Sequence, residues 1–226
     1  AGPWMNSGPL RLGHELRGRP VLVTFWTSTD PNSLRAIPVL NAWQGRYARQ
    51  GLAIIGVHVP DFSFERRIEN IARFLAANDI AFPVVLDSHA RAAEAYGCNY
   101  RPSFYLVDGR GIIRYAHLGE GEYFATERLI QELLRESGVH QAERPLVGPE
   151  VAAAVCFHPT PRLYCGYARG SIGNGQDEAG GRAIAYTDTG DYQEGRVYLQ
   201  GVWLQDQECV RHARQTASPV DYLAVR

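Results

Sequence analysis

The chain contains no lysine, so its 23 basic residues are all arginine. Arg and Lys are equally at home on solvated surfaces, and a coding bias accounts for the preference, so no function follows from it. The formal net charge is −1 and no basic cluster is present, which excludes nucleic acid as a partner class. No apolar run approaches the ~20 residues of a membrane span, which excludes a direct span. No two of the four cysteines stand two residues apart, so the paired gaps of a zinc motif and the Cys-x-x-Cys-His of covalent haem attachment are both missing. The N-terminus shows neither the charged region nor the apolar core of an export signal, so such a signal was never there or has been removed. What remains is globular: 226 residues with 45% hydrophobic side chains hold one domain of ordinary size and a smaller one.

The stretch from Val21 to Pro38 organises the chain. Val21, Val23 and Phe25 fit a strand hidden on both faces, as in parallel sheets. Asp30 then stands where a helix N-cap belongs, with Pro31 at the first helical position. The following helix carries Leu34, Ile37, Leu40, Trp43 and Tyr47 at three- and four-residue spacing, bends at Pro38 and stops at Gly51.

These residues resemble the first strand, active-site turn and first helix of the thioredoxin-like superfamily, in particular its TlpA/DipZ-type (redoxin) thiol-disulfide family. In that family the turn reads Trp-Thr-x-Thr-Cys-x-Asn-Cys-Leu-Arg; here it reads Trp26-Thr27-Ser28-Thr29-Asp30-Pro31-Asn32-Ser33-Leu34-Arg35. Asp30 and Ser33 replace the two redox cysteines, and Thr24 replaces the buried acid that many thioredoxins carry two residues before the Trp. Dithiol exchange needs a thiolate at the helix N-terminus and a second thiol to resolve the mixed disulfide. A carboxylate and a hydroxyl cannot exchange electrons, so the turn is expected to be redox-inactive.

Further segments resemble the same family. They are Trp4-Met5-Asn6-Ser7-Gly8-Pro9-Leu10, and the run from His58 through Pro60, Asp61, Phe62 and Phe64 to Glu65. Between them lies a strand at about 52–59. Helices at about 66–78 and 88–96, with a strand at 82–86 between them, correspond to the TlpA-type insertion. The resemblance places Pro102 as the cis proline facing the turn, before a strand at 104–107. Asp108-Gly109-Arg110-Gly111 is then a hairpin turn, and a closing helix ends at Gly138. The resemblance implies an α/β thioredoxin fold, a central mixed sheet flanked by helices, over residues 1–138. It also implies an extracytoplasmic site, with Ala1 as a processed end, and a binding surface of Trp26, Thr29, Asp30, Pro31, Arg101 and Pro102.

Residues 139–150 read as a linker, and residues 151–226 as a small β-rich extension with strands at 196–200, 202–204 and 221–225. Thr160 to Arg169 resembles the opening of the β-sandwich that follows the thioredoxin domain in DipZ-type proteins, with Arg162 where that family has an acid. So short an extension is expected to be an incomplete sandwich whose edges need further chain or a partner.

Five candidate chemistries remain. Cys98, four residues before Pro102, is a lone thiol near the cleft; its other reading is a small buried residue. Cys165 with Cys156 or with Cys209 forms a disulfide in an oxidising compartment, and the sequence does not choose between them. Cys156, His158, Cys165, Cys209 and His212 lack zinc spacing, so no metal is expected. The glycines at 170, 173 and 175 follow no clear strand, so no phosphate loop or other cofactor is expected. Asp30, Asp61, Glu65 and Glu120 show no pairing by spacing, and His58 reads as a structural group at a strand end.

The leading expectation is a redox-inactive binding or structural subunit, or an assembly factor, of a larger extracytoplasmic or membrane-associated complex whose partners are other protein subunits. The alternative is a thiol-disulfide oxidoreductase or peroxide-reducing relative using Cys98. A third is a glycan-binding module on an inert scaffold, resting on Tyr192 or Trp203.

Overall fold

The computed structural model describes residues 2–139, 163–175, 181–213 and 221–225. The chain divides into two compact units, Ala1–Val155 and Cys156–Arg226. All of the expected linker beyond Val139, together with Cys156, His158 and the start of the expected sandwich opening, lies outside the described residues.

In the first unit the elements run β1 (Trp4–Met5), β2 (Val21–Trp26), α1 (Pro31–Tyr47), β3 (Ala53–His58), α2 (Ile68–Ala77), β4 (Val84–Leu86), α3 (Arg91–Ala95), β5 (Ser103–Val107), β6 (Ile113–Leu118) and α4 (Tyr123–Glu136). The six strands form one mixed sheet in the order β1-β4-β3-β2-β5-β6. At its centre β2 runs parallel to β3 and antiparallel to β5, and all six of its residues are buried, as a strand covered on both faces requires. Alternation along β2 sends Leu22 and Trp26 into the cluster formed with α1 and α4, and Val21, Val23 and Phe25 into the cluster on the opposite face with Ala93, Cys98 and Tyr105. This is the thioredoxin fold expected from the sequence.

Helix α1 begins as its residues dictate. Asp30 is extended, its carboxylate accepts from the Ser33 amide at 2.9 Å, and Pro31 opens the helix. Pro38 sits inside the helix on its exposed side, and Gly51 ends the following short 3₁₀ turn at φ 111°. Leu34 departs from the expected apolar stripe: it is 38% exposed, because the stripe begins at Ser33 and Ala36–Ile37. The helix expected at 66–78 starts later, at Ile68, since a 3₁₀ turn at Ser63–Arg66 and an extended Arg67 precede it. Gly56 permits a close approach, because a Cβ there would lie 2.9 Å from the Trp26 Nε1.

The second unit contains a separate four-stranded sheet: β7 (Ala183–Tyr186), β8 (Val197–Gln205), β9 (Val210–His212) and β10 (Tyr222–Val225). The runs expected as two strands, 196–200 and 202–204, are one strand. Gly201, at φ 100°, continues it where the Asp221 side chain would overlap any Cβ. Strands β7 and β9 were not expected from the sequence, although Ala183 to Tyr186 alternates in size and burial. β8 pairs with β7 along one edge and with β9 and β10 along the other; among the described residues each of those three has β8 as its one strand neighbour. A small core of Ile172, Tyr186, Val197 and Leu199 holds the unit together.

Candidate functional site

The turn after β2 is assembled from three directions. Register places Trp26 beside His58 of β3 and Phe25 beside Ser103 of β5, so the chain beyond Trp26 emerges next to Pro102. The Arg101–Pro102 peptide is cis. The 59–65 segment supplies the floor.

That floor is Glu65. Its side chain is fully buried, and its carboxylate accepts from Thr27 Oγ1 at 2.7 Å, Ser28 Oγ at 2.6 Å, and the amides of Asp61 at 2.8 Å and Phe62 at 3.0 Å. Buried His58 stands beside it: Nε2 is 3.5 Å from the carboxylate and accepts from the Ser28 amide at 3.2 Å. Burial alone would raise the Glu65 carboxyl; the adjacent His58 ring and the hydrogen bonds from Ser28, Thr27 and the Phe62 amide outweigh it and hold the group at about 2. Glu65 is therefore an ionised anchor that fixes the turn. Its role in joining Thr27 and Ser28 to the 59–65 segment was not read from the sequence; the one signal was its place at the end of the family-like His58–Glu65 run.

The two former cysteine positions face each other. Asp30 Oδ2 accepts from both the amide and the hydroxyl of Ser33 at 2.9 Å, and Ser33 Oγ receives the Thr27 amide at 3.4 Å. Both residues are buried, 3% and 1% exposed. Thr24 is fully buried, and among the described residues its hydroxyl has no hydrogen-bond partner. The Asp30–Ser33 arrangement stabilises the start of α1.

The residues expected to form a binding surface separate into two sets. Pro31 is exposed, and Thr29 and Arg101 are half-buried, with Arg101 3.5 Å from Asp61. Trp26 is a core residue, stacked on Phe74 at 5.5 Å and edge-on to His58 at 4.7 Å. Thr29, Pro31 and Arg101 are thus accessible, whereas Trp26, Asp30 and Pro102 are buried. Tyr100, 64% exposed and next to Arg101, joins the accessible set. Arg35 closes one flank through a paired contact with Glu120, at 2.9 Å from Nε and 2.6 Å from the guanidinium terminus.

Cys98 is buried beneath this surface. It is 8% exposed in the cluster on the sheet face opposite α1, and its thiol donates to the Tyr100 carbonyl at 3.2 Å. In the second unit Cys165 is half-buried and Cys209 exposed, and both are free thiols in this structure. Among the described residues no group of three or more His, Cys, Asp or Glu side chains is placed to hold a metal; His212 instead lies 2.6 Å from Asp221. Tyr192 donates to Asp188, and Trp203 is half-buried with its indole N–H on the Gln200 carbonyl. Among the described residues no helix is long and apolar enough to cross a membrane.

The AhpC/TSA family profile matches residues 6–116. Protein DipZ of Mycobacterium bovis is 33% identical over 198 residues, which cover 85% of this chain and 26% of DipZ. The chain thus spans about a quarter of the length of that relative. Thiol-disulfide oxidoreductase YkuV of Bacillus subtilis is 27% identical over 134 residues, 59% of this chain and 89% of YkuV. The crystal structure of a thioredoxin-like superfamily protein superposes with a TM-score of 0.54 at 26% identity, over 58% of this chain and 90% of the other. Sheet order, bent helix, cis proline and these likenesses agree: the first unit has a thioredoxin-like fold and contains a redoxin domain of AhpC/TSA type over residues 6–116.

Proposed function

We propose that the thioredoxin-like unit binds other polypeptides without dithiol exchange at its turn, as a structural subunit or assembly factor of a larger extracytoplasmic or membrane-associated complex. The observation that carries this reading is the closed Asp30–Ser33 pair: oxygen atoms, hydrogen-bonded to each other and buried, occupy both positions where exchange needs sulfur. Around the pair the accessible Thr29, Pro31, Tyr100 and Arg101 retain a surface for a partner chain. The likeness to DipZ supports the compartment.

A second reading is favoured by the relatives, one of which is itself named a thiol-disulfide oxidoreductase. In that reading the Cys98 thiolate attacks a substrate disulfide, a mixed disulfide forms as one substrate thiolate leaves, and an external dithiol resolves it. Against it stands the burial of Cys98 among apolar side chains.

A disulfide-reduction assay with an excess of dithiol separates the two. The wild-type chain is expected at the uncatalysed rate, with Asp30→Cys/Ser33→Cys raising it several-fold and Cys98→Ser changing nothing. Wild-type turnover that disappears in Cys98→Ser would establish the oxidoreductase reading instead. For the binding reading, gentle isolation from solubilised membranes is expected to recover the protein at fixed stoichiometry with other polypeptides; recovery as a free monomer counts against it.

A further inference from the structure

The second unit brings the sequence neighbours of two of its cysteines into backbone contact. Gly166, next to Cys165, lies against Glu208, next to Cys209: a Cβ on Gly166 would be 2.4 Å from the Glu208 carbonyl carbon and 2.5 Å from its Cα. Each cysteine is therefore a single Cα step, ~3.8 Å, from a point where the two segments touch. Three hydrogen bonds fix that contact. The Tyr167 amide donates to the Asp206 carbonyl at 3.1 Å, the Ala168 amide to the Gln207 carbonyl at 3.0 Å, and the buried Gln205 side chain to the Cys165 carbonyl at 2.8 Å. A fourth, from the Asp206 amide to the Cys209 carbonyl at 2.7 Å, closes the turn that presents Cys209.

We propose that Cys165 and Cys209 form a structural disulfide that fastens the 163–170 segment to the β8–β9 turn of the second unit. This inference is independent of the reading given to the Asp30–Ser33 turn.

The electrostatics agree with the geometry. Burial pushes the Cys165 thiol up, and the Cys209 thiol pushes it up further, so the two sulfurs are within electrostatic range. Formation requires an oxidant of the disulfide class, a protein or small-molecule disulfide. The exposed Cys209 thiolate attacks it and expels one oxidant thiolate; the Cys165 thiolate then attacks the Cys209 sulfur and expels the second. Two thiols lose two electrons and two protons, and the oxidant leaves as two thiols. Reversal is disfavoured at both sulfurs. Attack at Cys209 must expel Cys165 as a thiolate that its surroundings destabilise, and attack at Cys165 meets a half-buried sulfur. A unit with so small a core is the kind that disulfides stabilise.

The three cysteines of this region fall on separate tryptic peptides: one ending at Arg162, Leu163–Arg169 and Val197–Arg211. Full-length protein incubated with oxidised glutathione and digested without reductant is expected to give Leu163–Arg169 joined to Val197–Arg211, two hydrogens lighter than the separate peptides. The link should survive reduced glutathione at a concentration that opens an exposed reference disulfide. It should also persist in Cys156→Ser and vanish in Cys165→Ser and Cys209→Ser. A link from Cys156 to either cysteine, or alkylation of both thiols in the folded oxidised chain, overturns the proposal. Rapid opening by glutathione overturns its structural character. The wild-type peptide map decides the pairing even where a serine variant fails to fold.

Discussion

Glu65 shows how one buried charge organises a site. Four hydrogen bonds converge on its carboxylate, and the ordinary objection to a buried acid, the loss of hydration, is met by donors from both the turn and its own backbone segment. The pH dependence follows with a definite sign. The folded-state carboxyl is held at about 2 and the unfolded one titrates near 4.5, so as pH falls between those values the unfolded chain takes up a proton that the folded one refuses. The stabilisation, about 3 kcal/mol, is complete above the unfolded value and is lost as the folded value is approached. Glu65→Gln is expected to lower stability at neutral pH by about that amount and to flatten the acid limb. Urea unfolding at a series of pH values reads both, and a Glu65→Gln curve parallel to the wild type would refute the anchor role.

At the scale of elements, the strand-turn-helix unit keeps its shape without its sulfurs. The helix N-terminus offers unpaired amides to any acceptor, and Asp30 uses them as a cap where a thiolate would have used them for chemistry. Asp30→Ala is expected to cost about 1 to 2 kcal/mol through loss of the Ser33 contacts, visible as a lower thermal midpoint with an unchanged far-UV spectrum. A loss well below that range would mean that α1 starts without help from its cap. The strand, cap, Pro31 and internal Pro38 were legible because each depends on residues adjacent in sequence. The exposure of Leu34 and the burial of Trp26 were not, since the first depends on where neighbouring elements stop and the second on Phe74 and His58 arriving from elsewhere.

For the whole molecule, two units use different means of stability. The first buries a sheet on both faces, with a polar contact from Tyr47 to Glu127 and Gln131 linking α1 to α4 inside the core. The second has, among the described residues, one sheet and a core cluster of four buried hydrophobic side chains. A cross-link between Cys165 and Cys209 closes a loop of intermediate length, and its removal is expected to cost the second unit about 4 kcal/mol in the chain-entropy account. Calorimetry of oxidised and reduced protein is expected to show one transition moving down on reduction while the other stays. Coincident transitions in both states would mean that the bridge contributes nothing to stability.

The sequence by itself determined the fold class of the first unit and the absence of sulfur from its turn. Hydrophobic period, capping residues and turn chemistry act over a few positions, and the AhpC/TSA likeness rests on the same ordered segments. Tertiary structure alone decided that Cys98 belongs to the core, that Glu65 holds the turn, and that Gly166 meets Glu208. Those outcomes depend on strand order and register, which bring together residues tens of positions apart. No local pattern encodes such contacts, because their energy exists only once the sheet has formed.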